Sequence, residues 1–316
     1  MMTPWIVLIS YLVALLLIDF FILHQKDTVT TVRRAIFETI FFISNALLFT
    51  FLIYYFYKNG LVENGTNLTP TNAVIKYLTG YIIELSLSVD NLFVIAIIFT
   101  SFKIPAKFKH KLLFLGILGA IVFRAILISV GIVLINKIHG MSIIFGLFLL
   151  FTALKMLKNE SEHKEIEEPK GLKRLFHFSK EFDGEKYITR INGKRVFTAL
   201  FGALITIEFT DLLFALDSIP AIFAVTTDPF IVYSSNIFAI MGLRSLYFFL
   251  SNMLEKFKYL KYSVFSILVF VSLKLMTANW IDIPEWFSLL FIFISLAIGI
   301  YISSLRADAK STDAGE

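Results

Sequence analysis

The sequence predicts an all-α polytopic membrane protein of about nine transmembrane helices. Three observations predict it. Of 316 residues, 57% are hydrophobic and only 17% charged, against roughly 45–50% and 25% in soluble domains, and the mean hydropathy is +0.79. The apolar residues gather into nine runs, each near the ~20 residues that a span requires. Lys and Arg collect in alternate loops: 22 of 29 lie in loops one, three, five and seven and the C-terminal tail. Basic loops stay cytoplasmic, so the N-terminus is expected outside and the C-terminus inside.

The first run, Pro4–Leu23, follows MMTPW with no basic n-region, so it reads as a span and not a cleaved signal peptide. Span two, Ala35–Tyr57, follows Arg33 and Arg34, and residues 1–75 form a leading pair of helices. Spans three to five, Lys76–Phe102, Leu112–Ile135 and Met141–Leu157, make a unit over residues 76–157. Residues 158–196 are a cytoplasmic loop. Its end, Tyr187–Phe197, alternates apolar and polar side chains about Asn192-Gly193, the favoured two-residue turn of a β-hairpin. Spans six to eight, Phe197–Val225, Ile231–Ser251 and Tyr262–Thr277, make a second unit over residues 197–277. The last span, Trp286–Leu305, and a tail expected to be disordered complete residues 278–316.

Ionisable residues inside spans are rare because each costs about 2.5–3.5 kcal/mol on the translocon scale. Here they recur in order. Glu84 and Asp90 of span three precede Asp211 and Asp217 of span six by 127 residues. Arg124 precedes Arg244 by 120, and Lys155 precedes Lys274 by 119. Neighbouring letters agree, as in FTALKML against FVSLKLM. One three-helix unit is used twice, and because three is odd the second copy must cross in the opposite sense, the inverted-repeat plan of many secondary transporters.

Glu84, Asp90, Glu208, Asp211 and Asp217 are five acids against four bases, so with all ionised a cation would balance them. Glu84, Ser88 and Asn91 share a helix face, as do Asp211 and Ser218. Pro220 cannot donate to the carbonyl of Leu216, so span six is expected to kink or unwind beside Asp217 and to offer carbonyl ligands. Asp90 and Asp217 read as ligands and Arg124 and Arg244 as partners of acids. Lys155 and Lys274, near the ends of short spans, read as snorkelling residues. The five His lie in loops or at span ends and Cys is absent, which leaves an oxygen-only site suited to Mg²⁺, Ca²⁺ or Mn²⁺. No P-loop is present, and neither Asp90 nor Asp217 has the Tyr-Asp or Gly-x-Gly-Asp context of intramembrane aspartyl proteases. A carrier is expected, with no catalysis, no resident cofactor and no nucleic-acid partner.

ELSLSVDNLFVIAIIF (Glu84–Phe99), FGLFLLFTALKML (Phe145–Leu157) and the long segment Glu208–Leu250 resemble the hallmark segments of the TerC/Alx family, over nearly the whole chain. The family is named for tellurite resistance. The resemblance implies export of Mn²⁺ from the cytosol across the cell membrane. It places the family's acidic-motif positions on Glu84, Asp90, Asn91, Glu208, Asp211, Asp217 and Ser218, its arginines on Arg124 and Arg244, and accessory positions on Asp19, Arg34 and Glu38. Where the family commonly has Trp in span two, this chain has Ser44-Asn45-Ala46. Three readings follow. One is a Mn²⁺ exporter, with Ca²⁺ as related cargo and protons as counter-ion. The second is a membrane scaffold or assembly factor whose charges only fasten helices, and the third an organic-cation exporter of LysE type, which would want an aromatic-lined cavity. Oligomeric state is left open.

Overall fold

A computed structural model describes residues 2–23, 32–63, 65, 67–138, 140–158, 184, 186–191, 194–251, 260–277, 280–281 and 283–313. Among them nine helices alternate with short connections. Helix α1 (Met2–Ile18) continues into a π-helical turn (Asp19–Leu23), followed by α2 (Val32–Lys58), α3 (Pro70–Ser101), α4 (Ala106–Lys137) and α5 (Met141–Lys158). A hairpin of β1 (Ile188–Ile191) and β2 (Lys194–Phe197) leads into α6 (Ala199–Phe223), α7 (Pro229–Ser251), α8 (Leu260–Thr277) and α9 (Glu285–Asp313). The strands are antiparallel with Ile188 opposite Phe197 and Ile191 opposite Lys194. Their turn, Asn192-Gly193, lies outside the described residues.

Among the described residues, five helical segments are long and apolar enough to cross a membrane: Met2–Phe21, Arg33–Lys58, Ala106–Lys137, Ala199–Phe223 and Trp286–Ser303. Met141–Leu154 and Tyr262–Thr277 are shorter apolar helices. Helices α3 and α7 are missing from that set. Their polar letters Glu84, Ser86, Ser88, Ser234, Ser235 and Asn236 are buried against other helices, as polar groups in a membrane bundle must be.

The two three-helix units run in opposite senses. The short connection after α3 turns α4 antiparallel to it. Gly116, Gly119 and Gly131 of α4 meet Ile207, Glu208 and Phe223 of α6 in ascending order, so α4 and α6 are parallel. Lys76, near the start of α3, donates to the Val225 carbonyl just past the end of α6 at 2.9 Å, so the first helices of the units are antiparallel. Helix α3 packs on α7 and α4 on α6, while α3 meets α6, α4 meets α7 and α5 meets α8. Exchanging the two units maps this pairing onto itself. Gly146 brings α5 and α8 together, since a Cβ there would lie 2.9 Å from the Ser272 carbonyl oxygen; such small residues replace the hydrophobic driving force that lipid lacks.

Three expectations are corrected. Helix α6 is unbroken to Phe223 with Pro220 inside it: the proline falls in the last turn, where losing one donor leaves the helix assigned without interruption. Helix α9 extends to Asp313 through the segment expected to be disordered, which holds helix-compatible Ala, Asp and Lys and meets Gly only at 315. Lys274 does not snorkel. It is 8% exposed, and its Nζ donates to Ser288 Oγ of α9 at 3.0 Å.

Candidate functional site

The buried face of α4 runs Gly116, Ala120, Arg124, Ile128, Gly131, at helical spacing, with small residues on either side of one arginine. Those residues let α6 approach, and Arg124, 0% exposed, enters the seam between the two units. Its Nη1 donates to Glu84 Oε1 of α3, to Asn236 Oδ1 of α7 at 2.9 Å and to Ser218 Oγ of α6 at 3.3 Å. Its Nη2 donates to Asp211 Oδ1 at 3.1 Å and its Nε to Asp211 Oδ2 at 3.4 Å. This is the two-pronged grip that only a guanidinium gives a carboxylate. Asn236 Nδ2 donates to Glu84 Oε2 at 3.2 Å, and Ser88 Oγ to Glu84 Oε1 at 3.2 Å. The first two helices of each unit thus meet on one cation, and Glu84 and Asp211, repeat-related in sequence, are both partners of Arg124.

Glu208 sits one turn before Asp211. Its carboxylate lies in the notch left by Gly119, where any Cβ would collide with it. Its Oε2 is buried with no hydrogen-bond partner among the described residues, as is Asn91 Oδ1. Counting Glu84, Asp211 and Glu208 as ionised, the described cluster carries three negative charges and one positive, with oxygen donors only. A small cavity of about 30 Å³, lined in part by Gly116, Ile207 and Asp211, adjoins it.

The side chains of Asp90, Asp217, Arg244 and Lys155 lie outside the described residues. Among the described residues no three His, Cys, Asp or Glu side chains stand close enough to hold a metal ion together. Asp19, at the head of the π-helical turn, and Glu38 are buried at 3% and 0% exposure, and Arg34 Nε donates to Glu38 Oε1 at 3.0 Å. At the departure in span two, Asn45 accepts from Tyr11 at 2.7 Å and ties α2 to α1.

Sequence reasoning passed over two residues. Asn236 lies in the polar triplet Ser234-Ser235-Asn236 within an apolar run, which was the available signal. Asp228, 3% exposed, precedes α7 and accepts from the amides of Phe230 at 3.0 Å and Ile231 at 3.3 Å. Its position just ahead of Pro229 marked it as a cap.

The profile of the integral membrane protein TerC family matches residues 69–311. The chain belongs to the TerC family. TerC-family kinship extends beyond that match: an uncharacterized membrane protein of Rickettsia felis is 40% identical over 96% of this chain and 97% of its own length. One of Myxococcus xanthus is 39% identical over 98% and 95%. A protein of Escherichia coli named "putative membrane-bound redox modulator Alx" is 39% identical over 87% and 85%. No solved structure matches. The TerC match begins at Thr69, the N-cap of α3, and so takes in every helix that contributes to the Arg124 cluster.

Proposed function

We propose that this TerC-family chain is a secondary transporter that exports a divalent metal ion, Mn²⁺ with Ca²⁺ as a related cargo, from the cytosol in exchange for protons. The observation that carries the reading is the excess of carboxylate over base in the seam between two inverted helix units. Glu84 and Asp211 share one guanidinium, and Glu208, one turn before Asp211, keeps a buried oxygen without a partner among the described residues. Inverted-repeat carriers hold their cargo in such a seam, and hard oxygen donors suit Mn²⁺ better than softer metals. In this reading Asp90 and Asp217 complete the ligand set with Glu208, Asn91 and Ser218, while Arg124 holds Glu84 and Asp211 until cargo arrives. The α3–α4 loop end, with Lys103, Lys107, Lys109 and Lys111, faces the cytosol, and the chain resides in the cell membrane as a carrier without catalysis. The name of the Escherichia coli relative points to redox balance. This chain has no cysteine and so no thiol couple of its own; metal supply is the link that a carrier offers.

Manganese content of cells tests it. Wild type should lower cellular manganese, and Asp90→Asn and Asp217→Asn should not, although both reach the membrane folded. Equal manganese with and without the protein would defeat the proposal. One observation favours a second reading, that of a scaffold: Arg124 satisfies both Glu84 and Asp211, as a pure fastener would. That reading requires manganese content to be indifferent to every one of these substitutions.

A further inference from the structure

We infer that Phe223, seated in a notch at Gly131, is the barrier that closes the Arg124 cluster toward the α6–α7 loop. This rests on the carrier reading for its purpose, though not for its geometry. Helices α4 and α6 run parallel, so Gly131 and Phe223 lie beyond Arg124 and Asp211 in that direction. A Cβ at Gly131 would stand 2.5 and 2.7 Å from ring atoms of Phe223 and 3.5 Å from Ile219. The ring therefore rests on the α4 backbone, at a position that only glycine leaves open. Its other face stacks on Phe145 of α5 with centroids 6.1 Å apart. Ile128, Ile222 and Val232 close round it, each 0% exposed. Beside Arg124, Tyr233 donates to the Ala125 carbonyl at 2.7 Å, and beyond Phe223, Lys76 donates to the Val225 carbonyl.

Toward the α3–α4 loop Phe99, Phe108 and Tyr247 are buried as well, with Phe99 edge-on to Tyr247 at 5.5 Å between centroids. The cavity of about 30 Å³ that reaches Asp211 lies on this side, between Leu92, Ile95, Gly116, Ile207 and Leu243, and has room for about one water. The offset that relates Asp211 to Glu84 places Ala96 at the position equivalent to Phe223, and the offset of the arginines places Ser251 at that of Gly131. The Phe-on-Gly pair is thus written into one copy only. Release toward the α6–α7 loop therefore requires Phe223 to leave Gly131. Pro220, three residues earlier, gives no amide hydrogen to Leu216, so the turn that carries the ring is held by one bond fewer and is the place for α6 to bend.

The chain has no cysteine, so single-cysteine reporters need no prior substitution. Ile219→Cys reports the plugged side and Ile117→Cys the cavity side, each labelled with a charged, membrane-impermeant thiol reagent applied from one face of oriented membranes. Ile219→Cys and Ile117→Cys should both label slowly from either face. Adding Phe223→Ala should speed labelling of Ile219→Cys from the α6–α7 face by about tenfold or more, a population shift toward the open end. Gly131→Ala should do the same by displacing the ring without removing it, and neither should change labelling of Ile117→Cys from the α3–α4 face. An unchanged rate for Ile219→Cys in folded Phe223→Ala or Gly131→Ala overturns the inference; if neither reaches the membrane folded, an unchanged rate with Phe223→Leu does so. Labelling reads access whatever the cargo. A chain that gates in this way yet leaves manganese unmoved would refute the proposed cargo and leave the barrier standing.

Discussion

Arg124 shows how much one side chain can be asked to hold. It is 0% exposed and binds two carboxylates, an amide and a hydroxyl from three other helices. Removing it leaves Glu84 and Asp211 buried without their cation, and breaking a buried pair from one side typically costs about 3–5 kcal/mol. Arg124→Ala should therefore lower the folded yield in the membrane, measured as monodisperse protein after extraction. Arg124→Lys should recover little of it, because a point charge cannot grip both oxygens of Asp211 while reaching Glu84 and Asn236. Full yield for Arg124→Ala with altered metal affinity would make Arg124 a participant in cargo binding and not a fastener.

At the scale of the element, the start of α7 depends on Asp228. Its carboxylate accepts two of the first amides of the helix, donors that have no partner within the helix itself. Asp228→Ala should destabilise the protein by about 1 kcal/mol, within the usual 0.5–2 range for a lost cap, and Asp228→Asn by much less. Thermal unfolding in detergent measures both. Burial pushes the Asp228 carboxyl above its ordinary range, so the native state keeps this proton to higher pH than the unfolded chain. The contribution of this group to stability accordingly falls as pH rises from about 3.9 through the raised native value. Asp228→Asn should remove that part of the pH dependence; a difference between the two proteins that is flat across acid pH would show that Asp228 titrates alike in both states.

For the whole molecule, the proposed exchange of metal for protons rests on where the acids sit. Carboxylates shared by metal and proton cannot hold both at full strength, so binding one must release the other. Purified protein titrated with Mn²⁺ in two buffers of different ionisation enthalpy should show proton release, and affinity should rise between about pH 6 and 8. Affinity that is flat in that window, without proton release, would leave a uniporter or Na⁺-coupled carrier. The opposite senses of the two units suit the proposed carrier, since inverted halves can expose one site to either face in turn.

Composition and the period of apolar runs were enough to give an all-α polytopic membrane protein, because a span must satisfy its own backbone and cover it with apolar side chains wherever it meets lipid. The matched order of Glu84, Arg124, Asp211 and Arg244 was enough to reveal the inverted units, because intramembrane charge is too costly to recur by accident. Sequence could not say that one arginine takes both repeat-related acids, that Asn236 joins them, or that Glu208 lies in the notch of Gly119. Those depend on which helix faces which and at what separation. Glycines at 119, 131 and 146 fix those separations by what they omit, and the side chain that fills each gap comes from a distant part of the chain, so only the packed structure assigns it.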